Sequence, residues 1–198
     1  MSEQQGALTY EGILEMLWES GREFDRRMEE SRREFDQRMK ETDRRMKETD
    51  KRISKLGSRI GEIVECMVEG NIVEKFQALG YDVRECSRNK SFVNKKAGIY
   101  GEIDLFVGDG DIAILIEVKA RLETADVREH IERLEKYRRH ADAMSSKNKR
   151  RFIGAVAGAV VTEKASETAH ENGLYVIVQS GETVKIVTPP DGFTAKEW

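Results

Sequence analysis

The chain has 198 residues, room for one compact domain plus an extension. Charged residues make up 36% and hydrophobic residues 38%, a polarity that assigns part of the chain to a solvated helix. The formal net charge of −3 excludes a globally basic nucleic-acid binder, so any contact with phosphate must use a local patch or a metal ion.

The first twenty residues, MSEQQGALTYEGILEMLWES, lack a basic segment followed by an apolar core, so no signal peptide is expected. No apolar run is long enough to span a bilayer, and no membrane partner is expected. The two cysteines, Cys66 and Cys86, lie in a helical and a strand pattern without CxxC spacing. That usage fits a reducing, cytoplasmic setting.

Residues 22–56 change character. EFDRRMEESRR (23–33) is followed by EFDQRMKETDR (34–44), and QRMKETD (37–43) is echoed by RRMKETD (44–50) and KRISKLG (51–57). One seam connects these repeats. Phe24, Phe35, Thr42, Thr49, Leu56 and Ile63 form one column, and Met28, Met39, Met46, Ile53 and Ile60 the other. Each member of the first column from Phe24 to Leu56 precedes one of the second by four, with a stutter between Met28 and Phe35. A polar helix with so narrow an apolar stripe needs a partner. The expectation is a coiled-coil oligomerisation segment over 1–56, most simply a homodimer. Thr and Met at core positions make it a weak, adaptable zipper. The plainer alternative is a single helix held by i,i+4 charge pairs.

Gly57 and Gly61 predict a soft joint, after which 57–198 reads as a second domain. Residues 58–79 predict a helix with Gly80 as its C-cap. YDVREC (81–86) predicts a strand and SRNKSFVNKKAG (87–98) a basic loop. Residues 100–107 and 112–119 predict a hairpin around GDGD (108–111), which lacks the further ligands of a calcium loop. Residues 124–143 predict a helix with Val127, Ile131, Leu134 and Ala141 on one face. RFIGAVAGAVV (151–161) predicts a buried strand, EKASETAHENG (163–173) a short helix, and LYVIVQ (174–179) and TVKIV (183–187) closing strands. The fold class is therefore α/β, a mixed sheet with helices on it.

The hairpin carries the chemistry. Asp104, Glu117 and Lys119 interrupt runs where Val or Ile would pack. Alternation puts Glu102, Asp104 and Phe106 on one face of the first strand, and Ile103, Leu105 and Val107 on the other. If Val107 pairs with Ile112, Asp104 and Glu117 become diagonal neighbours about 7–8 Å apart at the backbone, with Lys119 on the same face. Two carboxylates so placed suit a hard divalent cation, and Lys119 suits a metal-bound water or a phosphate. The structural alternative is an Asp104–Lys119 ion pair with Glu117 in solvent.

With ID (103–104), twelve residues, then EVK (117–119), inside an αβββαβ order, the chain resembles the PD-(D/E)xK nuclease superfamily over roughly 56–187. RIGEIVE (59–65), EVKAR (117–121) and EKYRRHAD (135–142) are also similar to a family of bacterial proteins in which a charged coiled coil precedes such a domain. Ile103 stands where that motif often has proline. The resemblance implies a restriction-endonuclease-like core. It also implies Mg²⁺, with Mn²⁺ as a substitute, held by Asp104 and Glu117, and Lys119 as catalytic lysine. Many members add a carboxylate from the first helix. Glu62, Glu65 and Glu69 share one helical face here; Glu65 is the first choice and Glu69 the second.

Arg84, Arg88, Lys90, Lys95 and Lys96, with Arg121 beyond the hairpin, are candidate phosphate contacts. Arg133 and Arg138 lie on the next helix, interleaved with glutamates that suit ion pairs. His130, His140 and His170 have no metal-ligand spacing. The leading expectation is a metal-dependent nuclease acting on DNA rather than RNA. The competing one is a catalytically silent nuclease-fold scaffold whose coiled coil recruits a protein partner.

Overall fold

The computed structural model describes residues 9–95, 97–144 and 150–198. The element order is α1 (Tyr10–Ala78), β1 (Glu85–Asn94), β2 (Ile99–Asp109), β3 (Ile112–Leu122), α2 (Thr124–Met144), β4 (Arg151–Val161), α3 (Glu163–Glu171), β5 (Tyr175–Ser180) and β6 (Thr183–Ile186). The αβββαβ order expected from sequence is present. Two compact units divide at Lys55 and Leu56. Among the described residues, no helix is long and apolar enough to cross a membrane.

The first unit, as far as Lys55, is helical from Tyr10 onward. Thr9 begins it, its Oγ1 accepting from the Gly12 amide at 3.3 Å. Ion pairs at i,i+4 lace its surface, among them Arg27–Glu23, Arg33–Glu29 and Arg45–Glu41, each at 2.6 Å. The seam residues Phe35, Met39, Met46 and Ile53 remain exposed along it. Gly57 and Gly61 are helical within α1, and the division between the two units falls just before them, beside the expected boundary. Glycine costs a helix about 1 kcal/mol, and the flanking helix-formers outweigh that.

In the second unit, six strands form one sheet in the order β1-β2-β3-β4-β5-β6. β3, β4 and β5 run parallel, joined by α2 and α3, while the outer pairings are antiparallel. Both faces of the sheet are covered. Val64, Val68, Ile72 and Phe76 of α1 pack on Leu105, Val107, Ile114 and Ile116. Val127, Leu134 and Tyr137 of α2, with Ala165 and Ala169 of α3, pack on Phe106, Leu115, Phe152 and Val156. A central strand buried on both faces requires a continuous apolar run, which is how β4 reads. Helix α1 ends as expected. Gly80 adopts φ +89, and the Tyr81 amide donates back to the Phe76 carbonyl at 3.1 Å.

Three expectations are corrected here. The strand expected at 81–86 begins only at Glu85 and continues through the segment expected to be a basic loop. β1 is an edge strand with a mostly exposed pattern, so its polar composition conceals a strand. The hairpin turn is shorter than expected. Asp109 pairs with Ile112, leaving Gly110 (φ +49) and Asp111 as a two-residue turn. Gly108 lets the strands close up, because a Cβ there would lie 2.8 Å from that of Ala113.

The strict alternation expected along β2 also fails. Leu105 and Val107 pack on the α1 side, yet Ile103 packs on the α2 side with Phe106 and Phe92. The switch occurs at Asp104. Opposite it, Asn89 takes φ 51, a left-handed conformation that Asn tolerates better than most residues. Pairs Arg88↔Leu105 and Lys90↔Ile103 flank this point in one register, and Asn89 and Asp104 form no pair between them. It is a two-sided kink at which the β1–β2 ribbon exchanges faces.

Candidate active site

The kink positions the hairpin chemistry. The β2–β3 ladder stops at Leu105↔Ile116, and Asp104 supplies the next bond by side chain, its Oδ2 accepting from the Val118 amide at 2.8 Å. Past that point the strands part around a cleft of 390 Å³ lined by Asp104, Glu117, Lys119, Arg133 and Lys136, among others. The shorter-turn register ends at Leu105↔Ile116, and its next step sets Asp104 across from Glu117 rather than diagonal to it. The structure therefore brings Asp104, Glu117 and Lys119 to one cleft.

Glu117 is 2% exposed, so its charge must be matched locally. Lys119 Nζ lies 2.7 Å from its Oε1. Arg133 of α2 reaches Oε2 and holds Glu129 at 2.8 Å. His130 is wholly buried beneath, its Nε2 3.1 Å from the Leu115 carbonyl and its Nδ1 3.8 Å from Glu117 Oε2. The alternative of Glu117 in solvent and an Asp104–Lys119 pair is thus excluded: Lys119 pairs with Glu117.

The titration behaviour follows from burial and like charge. Desolvation raises the Glu117 carboxyl, Asp104 raises it further, and Lys119 and Arg133 oppose this only in part. Desolvation also raises Asp104, against the Val118 amide and the Lys119 and Arg133 charges. Glu65 is raised by burial first and by Asp104 next. Burial works against a charged Lys119, but its hydrogen bond to Glu117 and the two carboxylate charges outweigh it and raise its pKa. His130 is pushed down to about 3 by burial, so it is a neutral prop.

Among the three helix carboxylates, Glu62 is exposed and Glu69 pairs with Arg88 at 3.0 Å. Glu65 is the one whose titration Asp104 perturbs. Among the described residues, no three His, Cys, Asp or Glu side chains gather closely enough to hold a metal ion. The donor set still suits a hard cation. Asp104 commits only Oδ2, and a divalent charge would relieve the repulsion by which Asp104 raises Glu65 and Glu117.

The candidate phosphate contacts do not converge. Arg88 is drawn to Glu69 and to the Cys66 sulfur on the α1 side. Lys90, beyond the kink, stacks on Phe106 at 3.4 Å on the other side, and burial lowers its pKa. Lys95 is exposed at the end of β1, Arg121 pairs with Glu123 at 3.1 Å, and Lys96 lies outside the described residues. The loop reading failed because a strand with a face switch sends neighbouring cations to opposite sides. Arg138 is engaged by the Arg150 carbonyl and Asp142. Sequence reasoning missed the support given by His130 and Arg133. The available signal was a histidine inside the apolar stripe of α2 with an arginine one turn on.

Residues 92–186 match a domain of unknown function, DUF8196. No curated protein matches the chain. Among solved structures, a repair endonuclease from Pyrococcus abyssi is similar at 18% identity and TM-score 0.38, over 64% of this chain and 47% of that one. A protein of unknown function, AF1548, is similar at 14% identity and TM-score 0.38, over 62% and 58%. An EndoMS–dsDNA2 complex is similar at 18% identity and TM-score 0.33, over 60% and 45%. The chain spans about half the length of the solved structures it matches.

Proposed function

We propose that the second unit is a metal-dependent nuclease that hydrolyses phosphodiester bonds in DNA. The observation that supports this best is the convergence of Asp104, Glu117 and Lys119 in one cleft, with Glu65 electrostatically coupled to Asp104. In this reading Asp104 and Glu117 would hold Mg²⁺ or Mn²⁺, and Glu65 would complete the set. The cation, when bound, supplies Lewis acidity and lowers the pKa of water. Arg133 fixes the Glu117 carboxylate above the buried His130 ring, and a bound cation would compete with Arg133 for that oxygen. Lys119, held protonated by its carboxylate neighbours, donates to the phosphate and balances charge developing there. Lys136, exposed on the cleft wall, takes the phosphate-contact role sought in β1. The N-terminal seam pairs two such chains, so that two sites act on one substrate.

A second reading is favoured by one observation: both Glu117 oxygens are already occupied by protein cations. A site kept in that state would be a scaffold whose N-terminal helix recruits a protein. The test is cleavage of linear, circular, single-stranded and branched DNA with Mg²⁺ or Mn²⁺, beside Lys119→Ala. Metal-dependent cutting that the variant loses is the expected result. No cutting, together with no Mg²⁺ or Mn²⁺ binding by calorimetry, would overturn the nuclease in favour of the scaffold.

A further inference from the structure

We propose that residues 35–53 pair with a second copy of the chain as a parallel, in-register coiled coil. The inference rests on self-association of the seam and is independent of the nuclease reading. Its basis is a charge pattern. The segment contains FDQRM (35–39), TDRRM (42–46) and TDKRI (49–53). Each opens on one seam column and closes on the other. Asp36, Asp43 and Asp50 each follow the first seam residue, and Arg38, Arg45 and Arg52 each precede the second. These are the e and g positions, which flank the seam and meet those of the partner helix.

All g positions in this stretch are therefore basic and all e positions acidic. In a parallel pair, each g residue faces the e residue of the next heptad in the other copy. Arg38 then meets Asp43 of the second copy and Arg45 meets Asp50, with the reciprocal pairs across the seam. In an antiparallel pair g faces g and e faces e. Arginine then meets arginine and aspartate meets aspartate throughout, which is repulsive. The same stripe thus favours one orientation and opposes the other.

Two structural facts agree. Among the described residues, Asp43 and Asp50 have no ion-pair partner within the chain, although the neighbouring glutamates do. Thr42 and Thr49 donate their hydroxyls to the Arg38 and Arg45 carbonyls, each at 2.9 Å. With the hydroxyl satisfied inside the helix, the seam position carries no unmet donor. The stripe is uncovered in the single chain, where Met46 is 66% and Ile53 63% exposed. An identical stripe complements it in both apolar spacing and charge.

The test uses the full chain. Sedimentation equilibrium is expected to give the mass of two chains. Asp43→Arg with Asp50→Arg should weaken association by at least about tenfold at low salt, since four attractive pairs become repulsive. Adding Arg38→Asp and Arg45→Asp should restore it. In an antiparallel pair the first change merely exchanges one repulsion for another, so unchanged association would overturn the orientation. Cross-linking decides independently. In a Cys66→Ser, Cys86→Ala background, Met39→Cys and Thr49→Cys should each form a disulfide with its own copy. Cross-links only in a mixture of the two variants would overturn the parallel register. A monomeric wild type would overturn self-association itself, and a mass of three or more chains would overturn the pair.

Discussion

Replacing Arg133 with Met should test how Glu117 is kept charged. The Glu117 side chain is 3% exposed and the Arg133 side chain 19%, so the pair is largely removed from water. Removing one partner of a buried pair costs about 3–5 kcal/mol, because the other charge is left without compensation. Lys119 stays at 2.7 Å from the other oxygen, which brings the expected loss to about 2–3 kcal/mol. For a chain of this size that is a fall in Tm of about 4–12 °C. The loss should depend on pH, with a definite sign. A carboxyl whose folded pKa lies above its unfolded value contributes stability at low pH and loses it as pH rises through the folded pKa. Glu117 is raised already, and losing Arg133 raises it further. The variant should approach wild-type stability near pH 4–5 and fall furthest behind near pH 8, by roughly the figures above. Urea denaturation followed by Trp198 fluorescence in a Trp18→Phe background measures this at both pH values. Arg133→Met combined with Glu117→Gln should recover part of the loss at pH 8, since an amide needs no counter-charge. Equal destabilisation at both pH values, or a double variant as unstable as Arg133→Met alone, would refute the account of Glu117 as a buried, cation-compensated carboxylate.

Calorimetry with Mn²⁺ gives two opposed expectations. Asp104→Asn should weaken binding by at least about tenfold while keeping the fold, because the amide oxygen still accepts from Val118. Arg133→Met should tighten it, since a competing positive charge leaves Glu117. The His130 ring should show no protonation shift by NMR between pH 8 and pH 5, given a pKa of about 3; a midpoint near 6.5 would place the ring in water. Gly154→Ala should destabilise the second unit by about 1–3 kcal/mol, measured by thermal melting, because its Cβ would lie 2.6 Å from Leu134 Cδ1.

The elements with strong periodicity were legible. β4 was bounded correctly because a two-sided strand reads as an unbroken apolar run, and α2 because Val127, Leu134 and Ala141 share a face. β1 was not legible, since an edge strand with one mostly solvated face has a loop's composition. The face switch at Asn89 and Asp104 was invisible for a different reason. Period-two reasoning assumes an unbroken pleat, and one left-handed asparagine cancels it. Parity along β3 still held, so Glu117 and Lys119 were correctly placed on one side. The other partner of Glu117, Arg133, comes from α2, and spacing within one hairpin says nothing about a contact with a separate element.

The kink at Asp104 also bears on how the candidate site should be probed by substitution. Replacing the acidic residue by alanine is the usual way to silence such a site. Here Asp104 is also a fastener, since its carboxylate satisfies the Val118 amide just where the β2–β3 ladder gives out. Alanine would leave that amide bare, and the cheapest repair is for the two backbones to zip together and fill the space between them. Failure of such a protein to bind a ligand would then report the altered backbone as well as the lost charge. Asparagine removes the charge and leaves the fastener in place.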